Sequence, residues 1–420
     1  MSRVAPFGRH RERGCWAAWV LTATLALAPV AVAGQTADTV RTFSLDSRYV
    51  GRSYSNDAMA GFGIDLLNLA TLPIQLIEPS SRLRNVGRGL LLMVESIFVG
   101  EAFLITYHEY GHGTRAAARG WRPRYGFGLI LTDADLQAAL QGPPEHETFF
   151  GFFFNSFGQG SAYALASPDD LLFTPPSEDL VEDWAILLNA GGLNNEMLFA
   201  ERIEDEISRN DGHIGFLPAY VNAKLSTIQY SVVGVFGDVD NTVRSYQAMG
   251  FDIDQDRIDS ASRASFFLSS LSYQLIYQTV RMFTGESIRF TAWAPGGVEL
   301  PNTSFFMTRS GLSYRVRTGY RTGPWRFPLA VESVFEGDGR TEVSLGAERH
   351  LARTYLRARA TFGEALGVGL SADYRIRDKV ALSAGYTLYD SRNLLGERLI
   401  PSLENGSRYH DLFVRLSFAY

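Results

Sequence analysis

"LGVGLSADYRI", residues 366–376, changes character at every second position. Leu366, Val368, Leu370, Ala372, Tyr374 and Ile376 fall on one face, and Gly367, Gly369, Ser371, Asp373 and Arg375 on the other. A period of two sends successive side chains to opposite sides of a strand, so the stretch predicts β structure, not helix. The last ten residues, "DLFVRLSFAY" (411–420), repeat the pattern. Working outward, so do "SIRFTAWA" (287–294), "LSYRVRTGYR" (312–321), "WRFPLAVESVF" (325–335), "TEVSLGAERH" (341–350), "TYLRARATFG" (354–363) and "VALSAGYTLYD" (380–390). Turn signals such as "EGDGR" (336–340) separate them, which gives about eight antiparallel strands after residue 285.

Such a series suits either a soluble sandwich or a transmembrane barrel. The non-apolar faces carry mixed charge, including Arg315, Arg317, Glu332, Glu342, Glu348, Arg357, Asp373 and Arg415. The interior of an eight-stranded barrel is filled by side chains, so such charges would pair across it. The final strand, apolar at alternate positions and closing on Tyr420, resembles the C-terminal signature of bacterial outer-membrane barrel proteins. That resemblance implies an outer-membrane-type β-barrel over 286–420, lipid as its surroundings and the barrel-assembly machinery as a partner.

The start of the chain points to the same compartment. Arg3, Arg9, Arg11 and Arg13 precede an apolar run from Trp16 to Val32, which closes on "AVA" (31–33). This is the pattern of a secretory signal peptide over 1–33. The formal charge is −6, and removing that segment, with its four Arg and one Glu, leaves about −9. So acidic a chain excludes nucleic acid as an expected partner. Cys15, the only cysteine, lies inside the signal, so any metal in the mature chain must use His, Asp or Glu.

Residues 34–60 read as an N-terminal arm, extended or a single strand, and 61–285 as a mainly helical domain. Helical periodicity begins near Gly61 and stops at "EPSSR" (78–82). "VGRGLLLMVESIFVGEAFLITY" (86–107) continues without a breaker to Arg119, where Gly120 and Pro123 end one long helix. Its charges, Arg88, Glu95 and Glu101, favour a helix buried in protein over one in lipid. Further helices are expected through "VEDWAILLNA" (181–190), "LNNEMLFAERIEDEI" (193–207), Leu217–Phe236 and Ile258–Phe283. The Phe-rich "TFFGFFFNSF" (148–157) reads as core or as a membrane-interface patch.

The long helix carries "HEYGHGTRAAARG" (108–120). His108 and His112 are four residues apart and share one helix face, so their ring nitrogens can hold one Zn²⁺, with Glu109 beside them to take a proton from water. The H-E-x-G-H core resembles the zinc helix of site-2-type intramembrane proteases, and that of gluzincins of the CAAX-protease type. By that resemblance His108 and His112 are metal ligands and Glu109 is the general base of a zinc metallopeptidase.

The third ligand separates the two types. A gluzincin implies a Glu on a later helix, and Glu196 stands on an otherwise apolar turn. Glu201 opens a charged run (Glu201, Arg202, Glu204, Asp205, Glu206) that reads as a solvated face. A site-2 protease implies an Asp, and the nearest is Asp238 in "FGDVDN". "AGGLNNEML" (190–198) also resembles that family's Gly-Pro-x-x-Asn segment without its Pro. Glu196 is the preferred ligand and Asp238 the alternative; His146 and His213 are spare. The expectation is an α+β chain: a helical zinc peptidase domain, periplasmic and acting on protein or peptide, followed by an outer-membrane β-barrel. The rival is a barrel protein whose metal site is structural and performs no catalysis.

Overall fold

The computed structural model describes residues 42–49, 55–77, 81–128, 139, 149–157, 161–171, 181–230, 237–377, 379–390, 392–399 and 408–419. The expected signal segment 1–33, His146 and Tyr420 lie outside the described residues. After β1 (Thr42–Asp46), the hydroxyl of Ser55 accepts from the Ala58 N–H at 3.3 Å and starts α1 (Asn56–Gln75), five residues ahead of the expected start. Ser81 caps α2 (Arg82–Ala118) in the same way, accepting from Arg84 at 3.2 Å. Gly120, at φ 92°, ends α2 where the sequence places its stop.

The hairpin of β2 (Trp121–Phe127) and β3 (Ala162–Leu171) was not expected inside the helical part. Pro123 blocks a helix but is tolerated in a short edge strand with a register shift, and one lies between Trp121 and Pro123. Between them α3 (Phe149–Asn155) puts Phe149, Phe152 and Phe153 into the core.

There follow α4 (Val181–Asn189), α5 (Gly191–Arg209), β4 (Gly212–His213), α6 (Phe216–Tyr230), α7 (Asp238–Ala248), α8 (Gln255–Phe267) and α9 (Ser270–Phe283). The last two replace the single helix expected over 258–283. Ser269 sits at the break, and its hydroxyl donates to the carbonyls of Ser265 and Thr303. A core of Met59, Phe62, Phe103, Tyr107, Phe199 and Tyr220 joins α1, α2, α5 and α6. Each such side chain contributes roughly 1.5–3 kcal/mol by leaving water.

"SIRFTAWA" forms only β5 (Arg289–Phe290), paired with β4. The first long strand is instead β6 (Val298–Thr308), which escapes the alternation test because Pro301 and Asn302 fall in a register shift between Glu299 and Asn302. Then come β7 (Gly311–Thr322), β8 (Trp325–Gly337), β9 (Thr341–His350), β10 (Thr354–Phe362), β11 (Leu366–Arg377), β12 (Val380–Asp390) and β13 (Arg408–Ala419), with α10 (Leu394–Leu399) between the last two. All neighbouring pairs are antiparallel, in the order β1-β13-β12-β11-β10-β9-β8-β7-β6. Among the described residues the expected eight-stranded barrel is therefore a nine-stranded sheet that is not closed between β1 and β6. The arm supplies the ninth strand, and α1 and α8 pack against the two edges.

The faces of this sheet are inverted relative to a soluble sandwich. Phe335, Leu370 and Leu412 are 69%, 53% and 76% exposed, whereas Arg315, Glu332 and Glu342 are buried. The charged run on α5 accounts for this, and it corrects the expectation of a solvated face. Glu201 and Glu204 are buried against the sheet's polar side, where Arg317 bonds Asp205 (3.1 Å) and pairs with Glu201 (3.3 Å) and Glu204. Arg209 reaches Glu348 at 2.9 Å, and Arg398 of α10 bonds Glu332 at 2.6 Å. A helix and a short loop helix, not only strand side chains, fill the inside of the curve. Removing one partner of such a buried pair costs about 3–5 kcal/mol, because the other charge is left unpaired.

One group here makes stability depend on pH. Asp65 of α1 lines a cavity of about 270 Å³ with Arg202, Glu206 and Arg415. Burial pushes its carboxyl up to about 7, against the pull of Arg415 and the Ser44 N–H bond. A carboxyl raised above its unfolded value of 3.8 favours the fold below that value and loses the contribution as pH rises through 7. Asp65→Asn is therefore expected to remove about 1–2 kcal/mol of the fall in stability between pH 5 and pH 8, which flattens the fall in melting temperature. Thermal melts at the two pH values check this; an unchanged slope refutes it.

Candidate metal centre

The helical face predicted by the four-residue spacing turns inward. His108, Glu109 and His112 are all buried in the second half of α2, and the two imidazole Nε2 atoms lie 3.2 Å apart. Each ring is fixed through its other nitrogen. His112 Nδ1–H donates to the Leu188 carbonyl at 2.6 Å, and His108 Nδ1–H donates to Glu196 Oε1 at 2.8 Å. A carbonyl can only accept, so the His112 proton is on Nδ1, and the carboxylate sets the same tautomer for His108.

Asp238, the first residue of α7, completes the group. Its Oδ2 is 2.8 Å from His108 Nε2 and 3.2 Å from His112 Nε2. One ligand atom from each of His108, His112 and Asp238 lies within 4.8 Å of the others. Glu196, the preferred third ligand from sequence, stands on the opposite edge of the His108 ring, and among the described residues the group whose ligand atoms could share one ion is His108, His112 and the alternative, Asp238. The physical reason is that an imidazole offers two nitrogens on opposite sides. A carboxylate on Nδ1 orients the ring, and only one on the Nε2 side can share an ion with His112. His213 is also buried, but its Nε2 meets Asn68 Oδ1 at 3.2 Å and its ring stacks on Phe216, so it belongs to the core.

The donor set fits a cation. With both Nδ1 atoms donating, two Nε2 lone pairs and a carboxylate oxygen converge on one point, which is repulsive unless a positive charge stands among them. The proton affinities record the same demand. Burial acts to lower the pKa of His108, but Glu196 and Asp238 outweigh it and hold it well above the ordinary value. Burial likewise opposes the rise at His112, where Asp238 prevails. Asp238 itself, despite burial, is held far below the usual carboxylate range by the two histidines. Glu109 moves the other way: burial raises it, and His108 and His112 offset only part of that.

Three consecutive residues of α5 hold the site in register. Asn194 exchanges two bonds with the Met307 backbone of β6, at 2.8 and 3.0 Å. Asn195 donates to the Tyr107 carbonyl at 3.0 Å and accepts from Arg115 at 2.9 Å. Glu196 orients His108. Asn195 falls on the Asn of the Gly-Pro-x-x-Asn resemblance, whereas Asn194 was missed, and its signal was an Asn-Asn-Glu run on an apolar helix face. Ala164 of β3 was missed as well, and its backbone N–H donates to the Glu109 carboxylate.

The glycines of "HEYGH" and "AGGL" allow the close approach. A Cβ on Gly111 would lie 2.3 Å from the Gly191 carbonyl oxygen, and one on Gly192 would lie 2.3 Å from His108 Nε2. Gly111→Ala is thus expected to destabilise the protein by about 1–3 kcal/mol, since backbone must move. Gly192→Ala should instead weaken metal binding with a smaller loss in melting temperature. Thermal melts and zinc titration of both variants separate the two effects.

No family model matches the chain, and no curated protein matches it.

Proposed function

We propose that this chain is a zinc-dependent peptidase of the bacterial cell envelope, with His108, His112 and Asp238 as metal ligands and Glu109 as the general base. The observation that carries the reading is the convergence of two tautomer-fixed Nε2 atoms and a carboxylate oxygen, with a buried carboxylate on the adjacent residue. Zinc, when bound, would polarise the scissile carbonyl and make water acidic enough to be deprotonated near neutral pH. Glu109 then takes the proton from the attacking water and delivers it to the leaving amine. Its raised pKa suits both halves of that transfer, because a carboxylate closer to neutrality gives the proton back more readily. Glu196 holds the His108 ring, and Leu188 holds that of His112.

The exposed apolar face of the sheet supports a membrane setting. Lipid is the environment in which Phe335, Leu370 and Leu412 cease to be a cost, and a polar inner face filled by α5 matches a plugged outer-membrane barrel. On this reading α1 and α8 cover the edges at β1 and β6, and the helical domain faces the periplasm.

The test is direct. The purified protein should hold about one equivalent of zinc and cleave an unstructured protein substrate, a chelator should stop the cleavage, and zinc should restore it. Stoichiometric zinc with no hydrolysis across a broad peptide library would favour a structural site instead.

A further inference from the structure

The first half of α2 differs from the second. From Ala102 to Ala116 nearly every residue is buried, whereas Leu83, Leu90, Leu91, Val94, Ile97 and Phe98 form an exposed apolar stripe, with Leu83 82% and Phe98 69% exposed. At 100° per residue these six lie on one side, and Arg84, Arg88 and Glu95 flank it. By length and composition α2 could cross a membrane, but the stripe runs only ~22 Å before Glu101 closes it, short of the ~30 Å of a hydrocarbon core.

Other elements extend the stripe. Arg82 Nε donates to the Phe283 carbonyl at 2.6 Å and sets the exposed Val280 and Phe283 of α9 beside it. Arg88 donates to the Ile77 carbonyl and sets Leu76 and Ile77 there. At the far end Ser156 donates to the Ala102 carbonyl at 3.2 Å, which brings up Phe154, 68% exposed. Exposed apolar side chains of four segments thus meet along α2, and apolar residues gathered in this way mark an interaction surface.

We propose that this surface docks the helical domain on a lipid leaflet. The occupant follows from two features. Arg82, Arg84 and Arg88 lie at one end of the stripe, where Glu286 meets Asn85 and is paired with Arg281, so the described residues there carry an excess of positive charge that complements anionic headgroups. The face also joins the aromatic end of the sheet: Tyr277 of α9 packs on Trp293 at 5.7 Å, the Trp293 carbonyl accepts from the Leu300 N–H of β6 at 3.4 Å, and Val298 of the same strand is registered with Tyr320. The inference deepens the membrane reading above and depends on it for the second feature. Docking would hold His108 ~15 Å along α2 from Phe98, so the peptides it serves are juxtamembrane segments.

The test uses full-length protein in a Cys15→Ser background, reconstituted in phosphatidylethanolamine–phosphatidylglycerol vesicles that contain a spin-labelled lipid. A fluorophore is placed at Leu91→Cys, Phe98→Cys, Leu370→Cys on the sheet, or Asp252→Cys in solvent. Docking predicts lipid quenching at positions 91 and 98 at least twofold above that at 252 and near that at 370. Quenching at 370 alone, with 91 and 98 open to aqueous iodide, overturns docking and leaves the membrane reading intact. Quenching at 91 and 98 without 370 supports docking and removes the barrel. Protection from iodide at 91 and 98 without lipid quenching assigns the face to a protein and overturns the proposal.

Discussion

Glu109→Gln is expected to abolish hydrolysis and leave zinc bound. The amide has nearly the shape of the carboxylate and still accepts the Ala164 N–H, so the local fold persists. It cannot take a proton, and proton transfer by a positioned group is worth typically about 10²–10⁴-fold in rate. Because Glu109 is not among the three convergent ligand atoms, zinc content should stay near one equivalent. Elemental analysis beside a peptide-cleavage assay checks both halves. Undiminished turnover would remove Glu109 from the chemistry, and loss of zinc together with activity would make it a ligand.

The second large effect distinguishes the two carboxylates around His108. Asp238→Ala removes the acidic member of the proposed ligand set and leaves two Nε2 atoms facing each other at 3.2 Å without the Asp238 carboxylate beside them. Glu196→Gln keeps an acceptor for His108 Nδ1–H and removes only charge. Loss of an outer partner of this kind typically costs 10–100-fold in metal affinity, and loss of a ligand should cost more. Competition titration with a zinc indicator is expected to rank wild type above Glu196→Gln, and Glu196→Gln well above Asp238→Ala. The reverse order would restore Glu196 as the ligand and make Asp238 a neighbour.

The motif helix was readable because everything that defines it is local. Spacing fixes which face His108 and His112 share, Gly120 fixes the end, and the four-residue pattern needs no other element. Strands β7 to β13 were readable for the same reason, since alternation is a property of each segment alone. β6 was not, because Pro301 and Asn302 fall in a bulge whose cost is met by pairing with β7. The β2–β3 hairpin was not, because its partner strand lies some forty residues away in the chain.

Charge on α5 was misread on similar grounds. A run of Glu, Arg and Asp is solvated on most helices, and only the inward Arg317 and Arg209 bonds turn it into the filling of a curved sheet. By itself the sequence determined the type of most elements, the paired histidines, the adjacent carboxylate and an apolar face on strands β7 to β13. Tertiary structure alone decided which carboxylate meets the histidines on the Nε2 side and which meets one on the Nδ1 side. It also decided that the apolar strand faces point outward. Local preferences are set within a few residues of chain, whereas a shared ion site and the inside of a sheet exist only where distant segments meet.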